Sequence, residues 1–147
     1  MGGVALAAAI AVALYLVFLR PDEALRRRVA LVAQAEGLAE AGSYAEALAL
    51  YRQAVEIAPG DPELYVAMGA LDEAAGDAQA AETAYDQAQA LYGDAARFWS
   101  ERSGRYLLLG WWVEGASAAR AAIELDPDLA VAYCHLGSAY EAQGMIE

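Results

Sequence analysis

The sequence predicts an all-α protein, with one membrane-spanning helix followed by a solenoid of helical hairpins. Three observations predict it. The chain opens on an uncharged run, Gly2–Leu19. Beyond that run, glycines, alanines and aromatics recur at a step of 34 residues. Apolar residues make up 59% of the 147, above the ~45–50% usual in soluble domains, which argues against disorder.

The first element is the span, 1–20. Its 18 uncharged residues would form a helix of about 27 Å, close to the ~30 Å hydrocarbon core. Tyr15 and Phe18 lie near its end, where aromatics favour the interface, and Arg20 marks the exit. A cleaved signal peptide and a buried core helix are the competing readings. The former wants a basic start and small residues at the cut, but the run ends on bulky Leu16–Leu19. Pro21 disfavours α geometry at Arg20, so a break is expected there.

Residues 21–27 form a basic juxtamembrane segment. Arg20, Arg26, Arg27 and Arg28 flank the span on its C-terminal side, so the positive-inside rule puts the body in the cytoplasm, on the plasma (inner) membrane. An exported, periplasmic body is the alternative. These four arginines are the candidate contacts to anionic headgroups.

Charge separates the two parts. The first 28 residues carry four Arg against Asp22 and Glu23. The remainder carries five Arg against 19 acids, and the chain has no Lys or Asn. So acidic a body does not bind nucleic acid through phosphate neutralisation. Single Cys134 and His135 exclude an internal disulfide, Cys-based zinc sites and His-rich motifs. These two are neighbours on a helix, so their side chains diverge. No catalytic, cofactor-binding or metal residues are expected.

The body predicts helix pairs. Gly42, Gly76, Gly110 and Gly144 are spaced by 34 residues, as are Ala54, Ala88 and Ala122. Tyr65, Trp99 and Tyr133 form an aromatic series at the same step. The four glycines fall between apolar-periodic runs, where a helix must stop in a left-handed residue. Asp61-Pro62 and Asp126-Pro127 read as an N-cap followed by a first helical residue. The expected helices are ~23–41, 44–58, 62–75, 78–91, 95–109, 112–125 and 128–143, each bound carrying a few residues of error.

The 34-residue step, with GSYAEALALYRQAVEIAPGDP at 42–62 and YCHLGSAYEAQG at 133–144, resembles the tetratricopeptide repeat family. Three repeats, 28–61, 62–95 and 96–129, would be followed by a partial fourth, 130–147. Repeat three departs from the pattern, with Arg102-Ser103 where Leu-Gly is usual. The resemblance implies a non-catalytic solenoid whose concave groove binds protein. It also implies the groove positions: Val32, Glu36, Glu63, Val66, Ala70, Glu73, Arg97, Ser100, Val131 and Cys134. One subtype grips a C-terminal carboxylate with Lys and Asn, which this chain lacks. An acidic, small-residue groove suits a segment with apolar anchors and some basic residues.

Repeat two, 62–95, carries seven acids and no basic residue, which suits either a solvated face or docking of a basic partner. Trp112 takes the repeat slot of Tyr44 and should be buried, leaving Trp111 as a possible interface anchor. The expected function is a membrane-anchored scaffold that assembles or stabilises a membrane-associated complex. Alternatives are a permanent accessory subunit of a membrane enzyme, an exported assembly factor, or the anchor of a longer enzyme.

Overall fold

A computed structural model describes residues 21–144. The expected span 1–20, Arg20 and the final residues 145–147 lie outside the described residues. Among the described residues no helix is long and apolar enough to cross a membrane.

Seven helices follow one another: α1 (Pro21–Glu40), α2 (Tyr44–Ile57), α3 (Pro62–Ala74), α4 (Ala78–Tyr92), α5 (Ala95–Leu108), α6 (Trp112–Leu125) and α7 (Ala130–Ala142). They pair as hairpins α1–α2, α3–α4 and α5–α6, and α7 packs on α6 and α5. The arrangement is the expected all-α solenoid. Helix α1 runs without interruption through Arg26, Arg27 and Arg28.

The corners are equivalent. Gly42, Gly76, Gly110 and Gly144 all have positive φ, between 67° and 84°. At each of the first three, the glycine N–H and the following N–H turn back to carbonyls of the preceding helix, as in Ser43 to Leu38 (2.8 Å) and Asp77 to Asp72 (2.8 Å). An L side chain would strain each corner, which is why glycine keeps the phase.

Helix starts follow local chemistry. Asp61 accepts from the Glu63 N–H with Pro62 as the first helical residue, and Asp77 and Asp94 cap α4 and α5 the same way. The expected cap at Asp126-Pro127 does not start α7. Asp126 ends α6 and accepts from the Asp128 N–H, and α7 begins at Ala130. Pro127 repeats the loop residue Pro59, not Pro62; the 34-residue phase outranks the local dipeptide.

The core is alanine-lined around a few large side chains. Tyr51, Phe98 and Val66 are the largest that are fully buried. Around Tyr51 pack Ala35, Ala39, Ala47, Ala54 and Ala67, with Leu31, Leu48, Leu64 and Leu71. Small residues let helix backbones approach, and the aromatics fill the space between hairpins. Gly69 shows how tightly: a Cβ there would lie 2.6 Å from the Tyr85 ring.

Candidate functional site: the face of the first helices

The first helices of the hairpins, with α7, line two adjoining cavities. One, of about 190 Å3, is bounded by Arg28, Val29, Val32, Glu36, Asp61, Glu63 and Arg105. The other, of about 340 Å3, is bounded by Glu63, Tyr92, Arg97, Ser100, Glu101, Val131 and His135. Glu63 lines both.

Of the positions expected from the sequence, this face brings together Val32, Glu36, Glu63, Arg97, Ser100 and Val131. Val66 and Ala70 are buried to the last few per cent. Their side chains belong to the core because α5 packs over α3, so neither offers a partner a side chain. Ser100 is buried as well, reaching the cavity only as part of its wall. Glu73 is drawn into a separate cluster on α5, and Cys134 is exposed.

Electrostatics are set by two clasped arginines. Arg105 reaches from α5 to Glu36 on α1 (2.7 Å) and to Glu101 one turn back (2.8 Å), and donates to the Tyr51 hydroxyl (3.4 Å). Burial alone would depress its pKa, but Glu101, Tyr51 and Glu36 hold it above the usual arginine value. Arg28 pairs with Asp61. This guanidinium ties α1 to the start of α3. Arg26 and Arg27 are exposed.

Glu63 has no ion-pair partner among the described residues. Partial burial raises its carboxyl pKa, and Glu101 and Asp61 push it the same way, against Arg105 and Arg28. The Tyr92 hydroxyl is raised by burial and by Glu101 and Glu63. His135 Nδ1 is buried without a hydrogen-bond partner. The His135 ring occupies space left by Gly104, where a Cβ would lie 3.2 Å away.

A second cluster explains the departure in repeat three. Arg102 lies over the Tyr85 ring at 4.0 Å, with Trp99 and Tyr106 at 5.2 Å. Its Nε donates to the Tyr106 hydroxyl (2.7 Å), and the Glu73 carboxylate accepts from Tyr85 (2.9 Å) and Tyr106 (2.8 Å). Ser103 is fully buried and donates to the Gly115 carbonyl (2.8 Å). Burial raises the Tyr85 hydroxyl far above its usual value, Arg102 opposing. A guanidinium caged by rings and a carboxylate thus replaces the usual leucine.

The two tryptophans differ in burial from what the repeat phase predicts. Trp111 is half-buried and stacks on Tyr106 at 5.7 Å. Trp112 is 39% exposed and is followed by exposed Val113. Trp111 precedes α6 and turns inward onto α5, so it packs within the chain rather than standing out as an anchor. Sequence reasoning missed Arg105, Glu101 and Tyr92. A signal was present in the clustering of Arg97, Arg102 and Arg105 on α5, next to the wholly acidic second repeat. Among the described residues no group of His, Cys, Asp or Glu could hold a metal ion.

Residues 38–101 match the tetratricopeptide repeat family model. No curated protein matches the sequence. Solved structures share the fold. The first TPR of Spaghetti (RPAP3), bound to the HSP90 peptide SRMEEVD, aligns with TM-score 0.52 at 20% identity, covering 81% of this chain and 94% of that one. The second TPR domain of human RPAP3, in complex with the HSP70 peptide SGPTIEEVD, gives 0.52 at 17% identity over 79% and 97%. The Arabidopsis OM64 TPR domain gives 0.53 at 15% identity over 84% and 99%. The chain is thus an all-α, tetratricopeptide-like helical solenoid.

Proposed function

We propose that the chain is a non-catalytic, membrane-tethered scaffold that binds partner proteins on the face of its first helices. The observation that supports it is a recess, the pair of cavities that share Glu63, one lined from α1, α3 and α5 and the other from α3, α5 and α7. Tetratricopeptide folds typically serve as protein-binding modules, and two similar structures hold peptides.

The membrane part of the reading is carried by Gly2–Leu19 and the arginines after it. Tethering raises the local concentration of the recess towards membrane-associated partners. A body facing the cytoplasm follows from the flanking arginines. The complex so assembled would be a membrane-associated one, with a fixed accessory-subunit role as the second reading.

The test uses the full chain in its native membranes. A photo-crosslinking residue at Val131, in the recess, should give a discrete adduct with a partner that co-purifies in mild detergent. The same residue at Glu82, on exposed α4, should not. Adducts of equal yield from both positions would refute the binding face. Deleting 2–19 should release the chain from alkaline-washed membranes; retention would refute the tether.

A further inference from the structure

We infer that the recess at Glu63 is a seat for a cationic side chain of the partner, an arginine or lysine on a segment that also carries an aliphatic residue. The inference rests on the protein-binding reading above and names the chemistry of the partner.

The charge balance of the recess carries it. Four carboxylates face it: Glu36, Asp61, Glu63 and Glu101. Two guanidiniums answer them. Arg28 is committed to Asp61, and Arg105 is shared between Glu36 and Glu101. At the rim Arg97 is matched by Asp94 at 3.6 Å. The cluster is therefore two positive charges short, and Glu63 is the acid left with no partner. Burial raises its carboxyl pKa first, and Glu101 and Asp61 add to the rise against Arg105 and Arg28.

Shape agrees with charge. The larger cavity, about 340 Å3, has room for a long side chain. Its lining includes Glu63, Glu101 and Tyr92, groups that suit the head and stem of an arginine or lysine. Leu129 and Val131, the latter 46% exposed, also line the cavity and suit an aliphatic neighbour. The peptides held by the similar structures, SRMEEVD and SGPTIEEVD, are acid-rich, and this recess would repel them.

The test is fluorescence anisotropy with the full chain in detergent micelles. The probe is a short fluorescein-labelled peptide of alternating Arg and Leu, with a matched Glu and Leu peptide as its control. The Arg peptide should bind and the Glu peptide should not. Glu63→Gln should weaken binding about tenfold, while Glu82→Gln, outside the recess, leaves it unchanged. Equal losses in the two variants would reduce the effect to bulk charge and overturn the seat. Binding of the Glu peptide, lost on Val131→Arg, would overturn the cationic preference while leaving the recess as a protein-binding site. Failure of both peptides to bind, with no crosslink from Val131, would overturn both readings together.

Discussion

Gly69→Ala isolates the close packing between hairpin helices. Gly69 lies within α3, and an added Cβ would stand 2.6, 2.7 and 2.9 Å from three atoms of the Tyr85 ring. The ring has little room to yield. It is 7% exposed, its hydroxyl donates to Glu73, Arg102 lies 4.0 Å above it, and Phe98 meets it edge-on at 6.0 Å. Overpacking of this kind costs about 1–3 kcal/mol. Against this, alanine is favoured over glycine within a helix by about 0.5–1 kcal/mol. Gly37→Ala, in α1 with nothing within 4 Å of the new Cβ, gains the backbone term alone. The two variants should therefore differ by about 1–3 kcal/mol, with Gly37→Ala more stable than the parent. Urea unfolding of the full chain in micelles, followed by far-ultraviolet circular dichroism, measures the difference. A Gly69→Ala protein as stable as Gly37→Ala would refute the argument.

Four further outcomes are expected. Tyr51 is pushed up to about 12 by burial, with Arg105 pulling the other way. The folded pKa lies above the unfolded value, so its contribution is intact below about pH 10 and lost between about pH 10 and 12, at about 1.4 kcal/mol per unit. Tyrosinate absorbance from this residue, isolated as the difference from Tyr51→Phe, should rise together with loss of helix; a rise near pH 10 with helix intact would contradict the assignment. Arg105→Gln strips Glu36 and Glu101 of their partner and should lower stability by about 1–3 kcal/mol, the upper part discounted because Glu36 is 38% exposed. Exposed Arg27→Gln should change it by less than about 0.5 kcal/mol, and parity in urea melts would remove the clasp. Glu63→Gln should raise the melting temperature at neutral pH, since the fold favours the neutral carboxyl; a lower melting temperature would reverse the sign of the recess field. Arg102→Leu installs the residue usual at this slot of tetratricopeptide repeats but leaves Glu73 with two tyrosine donors and no cation, so it should not stabilise the chain unless combined with Glu73→Gln, as a double-mutant cycle would read.

The sequence made the helices and corners legible because their causes are local and periodic. Each glycine at the 34-residue step meets the same backbone demand, and Asp61-Pro62 carries its own capping chemistry. The depth of a side chain is a different matter. The repeat phase placed Val66, Ala70 and Ser100 on the correct helices, but how far they are covered depends on the packing of the neighbouring hairpin. Trp111 and Trp112 differ in burial from the repeat phase for the same reason: the residue before α6 turns back onto Tyr106, which no spacing rule reports. The Arg105–Glu36 contact joins residues 69 apart in the chain, so only the three-dimensional winding of the solenoid brings them together.

The departures of repeat three are connected through the second hairpin. Tyr85 fills the space left by Gly69, and the equivalent pair one step later is Ser103 with Ala119, a larger residue with a smaller one. Gly115 replaces the alanine of the earlier repeats, where a Cβ would lie 2.7 Å from Leu107. Arg102 then closes on Tyr85 and Glu73 from the hairpin before it. A guanidinium at this position, 20% exposed, would be costly in any hairpin not preceded by an acid and an aromatic in these slots. Hairpins two and three are thus matched to one another and could not exchange places as interchangeable repeats could. The same helix, α5, carries Arg105 into the recess of the first helices. One basic helix therefore both fixes the order of the stack and sets how much negative charge the recess has left to offer a partner.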